Sequence, residues 1–180
     1  MEEKMLTENE KQQIIEYGLE RGKKELIFLG FILLAGLILG IFWQGIIFWL
    51  SFCSIRRYAG GYHADTEQRC MIISASVIII VFLIIRCWTV EIWITILLQV
   101  ICYGIIMILS PVSNKNRILD ETEQKRFRKN THLIATIVMI FSLLLCLADC
   151  LYIVVPIAMA YIVLAVALLV GVCKNNFENT

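Results

Sequence analysis

His63 stands seven residues before Cys70 in a polar island, Arg56-Arg57-Tyr58-Ala59-Gly60-Gly61-Tyr62-His63-Ala64-Asp65-Thr66-Glu67-Gln68-Arg69-Cys70, and the chain has only one other histidine. A histidine that can reach a thiol acts as general base for a cysteine nucleophile, the pairing that drives covalent acyl transfer. On an unbroken helix positions seven apart share a face, but their Cα atoms lie about 10.5 Å apart, too far for proton transfer over about 3 Å. The backbone must therefore bend between or just before the two residues. Gly60-Gly61 supplies a break, and the polar stretch Asp65 to Gln68 a turn that would bring Cys70 back. Arg56, Arg57 and Arg69 would lower the cost of a thiolate, and a helix starting at Met71 would add its dipole beside Cys70. Spacing alone fits equally well a cysteine that begins a membrane helix and a histidine at headgroup level. A zinc site built from His63, Asp65, Glu67, Cys70 and His132 matches no common ligand spacing, so neither metal nor other cofactor is expected.

The island gains its meaning from what flanks it. With 59% hydrophobic and 17% charged residues and two prolines, the 180-residue chain is too apolar for an ordinary soluble domain and reads as an all-α polytopic membrane protein. A charged, glycine-rich loop persists at membrane depth only where protein buries it or water reaches it. The net charge of +1 is segregated along the chain and leaves no nucleic-acid footprint.

Residues Met1 to Glu25 mix Glu and Lys with Leu6, Ile14, Ile15 and Leu19, the pattern of an amphipathic helix on the membrane surface, and carry no signal-peptide pattern. The division expected is a segment 1–25 followed by one membrane-embedded domain, 26–180. Its apolar runs are Leu26 to Ile55, Met71 to Ile85, Ile92 to Leu109, His132 to Ala148 and Leu151 to Cys173. Most match the roughly 17 to 25 residues of a spanning helix. The first is long for one helix; split at Gly40 or Gln44-Gly45 it gives two of about 15 residues, each roughly 22 Å long and shorter than a hydrocarbon core of about 30 Å.

Charge counting favours the split. Lys115, Arg117, Lys125, Arg126, Arg128 and Lys129 mark the segment from Asn114 to Asn130 as cytoplasmic. Counting back puts the island and the N-terminus on the same side only if the first run crosses twice. About six transmembrane helices result, the first pair short and re-entrant in one version, with both termini and the His63/Cys70 loop cytoplasmic and Arg86 snorkelling on the far side. Of the seven cysteines, Cys53, Cys87, Cys102, Cys146 and Cys173 fall in or at the ends of apolar runs and Cys150 at a predicted external turn, so no disulfide framework is expected and Cys70 stays reduced.

Arg56, Gly60-Gly61, His63-Ala64 and Cys70 resemble the signature of the accessory gene regulator B family, membrane cysteine endopeptidases that process autoinducing-peptide precursors in Gram-positive quorum sensing. Tyr17-Gly18-Leu19-Glu20 looks like the element this family carries before its first hydrophobic segment. Ser110-Pro111-Val112 with Lys115-Asn116-Arg117 resembles its proline-plus-basic loop, although Ile118 follows Arg117 where the family often has proline. The resemblance implies Cys70 as nucleophile and His63 as base, Arg56, Gly60 and Gly61 supporting the site, Pro111, Lys115 and Arg117 in a substrate-processing loop, and a thioester passed within the peptide to form a thiolactone or lactone. The expected partners are a short amphipathic precursor peptide, whose acidic part would meet the basic loops, and the bilayer, with a second copy of the chain left open. The competing reading is a non-enzymatic transport or partner-binding subunit whose polar cavity is lined by the same loop; no intramembrane charge relay supports transport.

Overall fold

Gly40 is where the first apolar run turns back. It adopts φ 71°, with the Ile41 N–H donating to Gly36 O at 2.8 Å and the Gly40 N–H to Leu37 O at 3.2 Å. Such a pair of bonds closes a helix over a left-handed residue, a conformation that glycine adopts without a Cβ penalty. The turn separates helix α1 (Glu8–Leu39) from α2 (Phe42–Ala59); α3 (Glu67–Arg86), α4 (Ile92–Leu109), α5 (Glu121–Leu147) and α6 (Leu151–Glu178) follow. The computed structural model describes residues 8–61, 66–112 and 120–178, and within them the chain is all-helical.

Among the described residues four helices are long and apolar enough to cross a membrane: Gln68–Arg86, Ile92–Leu109, Glu121–Leu147 and Leu151–Asn175. The apolar part of α1, Glu25–Leu39, is shorter, which agrees with the short first pair. Two boundaries differ from those that hydropathy suggests. Helix α1 runs through Glu25 without a break, so the amphipathic segment from Glu8 onward and the first apolar stretch are one element; Lys23, Lys24 and Glu25 are good helix formers and nothing there stops the turn. Helix α5 begins at Glu121, well before the apolar run, because Asp120 caps it by accepting from the Glu121 N–H at 2.8 Å.

The helices meet in two sets of ends. At one, Arg86 at the C-terminus of α3 donates to the Leu39 carbonyl that closes α1, while Ile92, Ile96, Cys146 and Val154 join the start of α4, the end of α5 and the start of α6. The guanidinium there meets the negative end of the α1 dipole. At the other, Tyr58 of α2 packs on Phe127 of α5, ring centroids 5.8 Å apart, and Val112 after α4 bonds to Ala59. Exposed Arg57, Arg69, Lys125, Arg126, Arg128 and Lys129 all belong to this second end.

Helix α6 is the axis. Buried positions make up 61% of its apolar window, against 22–28% for the other three, and Val154 to Tyr161 are buried without interruption. A helix apolar all round suits the centre of a membrane bundle. Alanines 158, 160 and 165 let neighbours approach closely. The Tyr161 hydroxyl donates to Ala135 O at 2.5 Å, Ser142 donates to Gln99 at 2.8 Å, and Tyr103 and Thr136 share a hydrogen bond of 2.9 Å. Outward-facing Ile72, Trp93, Leu97, Ile108, Ile137 and Leu144 are each more than half exposed. An apolar belt of this extent is a lipid surface, and the protein is a multi-pass membrane protein.

Phe82 ties the short pair to the bundle. It is fully buried, meets Phe48 edge to face at 6.1 Å, and covers Gly45 so closely that a Cβ there would come within 2.8 Å of its ring. Replacing Phe82 with Ala is expected to destabilise the protein by about 3 kcal/mol, read as a lowered Tm in detergent by tryptophan fluorescence.

Candidate functional site

Helix α2 ends in a way that prepares the island. Its last turn carries Arg56 and Arg57. The Arg57 side chain is exposed, whereas Arg56 turns inward and is half-buried. The Arg56 guanidinium donates to Gly60 O at 3.5 Å and lies over the Phe52 ring, 5.6 Å from its centroid. Phe52, Arg56 and Gly60 are four residues apart in turn, the spacing at which helical neighbours touch.

The two glycines follow with φ of 71° and 124°. A Cβ on Gly60 would sit 2.3 Å from Val112 O, and one on Gly61 would sit 3.0 Å from Arg56 Nη1 and 3.5 Å from Ala167 O. The hinge thus lies pressed between the end of α2, the flank of α6 and the segment after α4. The Val112 N–H donates to Ala59 O at 3.0 Å, and Gly60 and Val112 pair as a parallel β-bridge. Both φ values fall where residues with a Cβ are strained, and the close approach removes the room for one.

The chain resumes at Thr66, whose side chain accepts from the Arg69 N–H at 3.4 Å and caps α3. Helix α3 therefore starts at Glu67, four residues before the expected Met71, and Cys70 lies in its first turn, with its N–H donating to Thr66 O at 3.0 Å. Helix α2 ends at Ala59 and α3 begins at Glu67, and residues 62–65 between them lie outside those described. Cys70 is half-buried, Arg69 is exposed, and the Arg56 guanidinium lies within electrostatic reach of both Cys70 and Cys53. All seven cysteines are free.

Arg56, Gly60, Gly61, Cys70 and the Pro111 segment therefore come together at one end of the bundle. Arg57 and Arg69 sit at that end facing outward, and His63, Lys115 and Arg117 lie outside the described residues. His132 is engaged elsewhere, its Nε2 bonded to Met107 O at 3.0 Å. Phe52 is a neighbour of the site that its spacing to Arg56 made detectable, and Val112, read from the sequence only as part of the proline-plus-basic loop, becomes the partner of Gly60 through tertiary approach.

The arrangement holds a guanidinium at two points, Gly60 O and the Phe52 ring, in the neighbourhood of two thiols, Cys70 and Cys53. A family model, accessory gene regulator B, matches residues 1–173. Relatives include AgrB-like protein 2 of Clostridium perfringens strain 13, 28% identical over 145 residues that cover 76% of this chain and 68% of the relative. An AgrB-like protein of strain SM101 is 26% identical over the same shares. No solved structure matches significantly. A match over nearly the whole length, carried by a chain with this polar island between membrane helices, means that the protein belongs to the accessory gene regulator B family and to the accessory gene regulator system.

Proposed function

We propose that the protein is a membrane cysteine endopeptidase that cleaves the C-terminal part from a short autoinducing-peptide precursor and supports its cyclisation. The observation that carries this reading is the half-buried Cys70 in the first turn of α3, within reach of an Arg56 guanidinium that is itself held by Gly60 O and Phe52. His63, two residues beyond the Gly60-Gly61 hinge, removes the thiol proton. The Cys70 sulfur attacks the scissile carbonyl, and the C–N bond breaks as His63 returns the proton to the leaving amine. The acyl group remains as a thioester on Cys70. A cysteine thiol or serine hydroxyl within the same peptide then attacks that thioester, its proton passing through His63 to the departing Cys70 sulfur, and a thiolactone or lactone is released.

The end that carries Arg57, Arg69 and the Lys125 to Lys129 cluster is the cytoplasmic one in this reading, since basic residues hold loops on that side. On the opposite end Arg86, the one arginine there among the described residues, is occupied in closing α1. An amphipathic precursor lying on the inner leaflet would bring its acidic portion to this basic edge. Lys115 and Arg117, which follow Val112 in sequence, belong in this reading to a substrate-processing loop.

The test is cleavage in liposomes of a synthetic peptide with an amphipathic N-terminal half, an internal cysteine and an acidic C-terminal tail, followed by mass spectrometry. Cys70→Ser and His63→Ala are expected to lose more than about 100-fold in rate; persistent cleavage by Cys70→Ser would refute the assignment. Arg56→Lys keeps the charge but loses the fork that holds Gly60 O and stacks on Phe52. It is expected to slow Cys70 alkylation by iodoacetamide about tenfold, equivalent to about 1.4 kcal/mol.

A further inference from the structure

We propose that Ser110-Pro111-Val112 is a positioning element for the Cys70 site, acting through the Gly60-Gly61 hinge; the proposal rests on the reading of His63 and Cys70 just given. Val112 does two jobs at once. Its N–H bonds to Ala59 O at 3.0 Å and its carbonyl oxygen occupies the space where a Cβ of Gly60 would stand, 2.3 Å away. Its side chain, 9% exposed, is sunk in the cluster of Ile55, Ala59, Ile106, Leu164 and Leu168. Ser110 beside it is 3% exposed, and the Ser110 N–H closes α4 on Ile106 O at 3.0 Å. The segment is thus clamped to α4 behind it and to the core beneath it, and it presents a fixed backbone edge to the hinge.

The hinge has few other restraints among the described residues. Two glycines have the widest backbone freedom of any pair, and without a partner strand they would sample many directions for the chain that leaves Gly61. The bridge removes that freedom at Gly60, while Arg56 on Gly60 O and the flank of α6 confine Gly61. The same bridge is the last described point before Lys115 and Arg117. One backbone contact therefore ties together the two points from which the sequence continues, to His63 on one side and to Lys115 and Arg117 on the other. A slip of about 1 Å in such supports is enough to cost a hundredfold in reactions that depend on near-attack geometry.

The test reads Cys70 alkylation by iodoacetamide at pH 7 in the full-length protein in nanodiscs, in wild type and Val112 variants, each with and without His63→Ala. In wild type the rate should fall at least tenfold on loss of His63; if it does not, the histidine–cysteine reading and this proposal fail together. Given that dependence, Val112→Ala, which keeps the N–H but withdraws the buried anchor, is expected to lose most of the His63-dependent component while remaining monodisperse. Val112→Ile, which keeps the anchor, should retain it, and Val112→Pro, which removes the donor to Ala59, should abolish it wherever folded protein is recovered. A folded Val112→Ala protein with the full His63 dependence of wild type overturns the positioning role and leaves the His63/Cys70 reading intact.

Discussion

Hydrocarbon offers a peptide group no hydrogen-bond partner, so every backbone N–H and C=O at membrane depth must be paired within the protein. The architecture obeys that demand in two ways. Most of the chain pairs inside helices, and the turns at Gly40 and Asp149 close helix ends with paired backbone bonds instead of leaving carbonyls open. Where the chain leaves helical geometry beside the candidate site, Ala59-Gly60 and Val112 pair with one another. The irregular backbone is bounded by α2, α6 and the end of α4, which is the only kind of place where a bilayer tolerates it.

That pairing explains why glycine occupies the hinge. A β-bridge pressed against the end of a helix leaves no volume for a side chain at Gly60, and at Gly61 the φ of 124° is one that residues with a Cβ rarely adopt. The arginine belongs to the same economy. Charge within the bundle is costly, and Arg56 is retained with its guanidinium spread over Phe52 and a glycine carbonyl, within reach of a thiol that it can serve. On the proposed reading structure and chemistry share one group, since the residue that braces the hinge also faces the reacting sulfur.

Charge is distributed between the two ends with equal thrift. Exposed basic residues of α2, α3 and α5 gather where the island lies, and Arg86 at the far end neutralises a helix terminus. The central helix keeps its charged residues, Lys174 and Glu178, near its C-terminus. The most buried of the spans, α6 contributes small residues for close packing and a tyrosine hydroxyl that finds a carbonyl on α5.

Much of this was legible in the residues themselves. Apolar runs locate Ile92 to Leu109 and the span beginning at Leu151 to the residue, because in a membrane protein hydrophobicity is the solvent contact itself and needs no partner to be expressed. The requirement for a break before Cys70 followed from helical rise alone. Helix starts at Glu67 and Glu121 were not legible from hydropathy, since Thr66 and Asp120 cap helices that continue past the apolar slab into water. Composition and apolar runs were enough to establish a multi-pass helical membrane protein, and the motif residues to establish its family resemblance. The meeting of Val112 with Gly60 and the inward turn of Arg56 onto Phe52 and Gly60 O, while Arg57 faces out, came from the packing of the helices, because no local pattern encodes an approach between residues about fifty positions apart such as Gly60 and Val112, or tells which of two adjacent arginines faces inward.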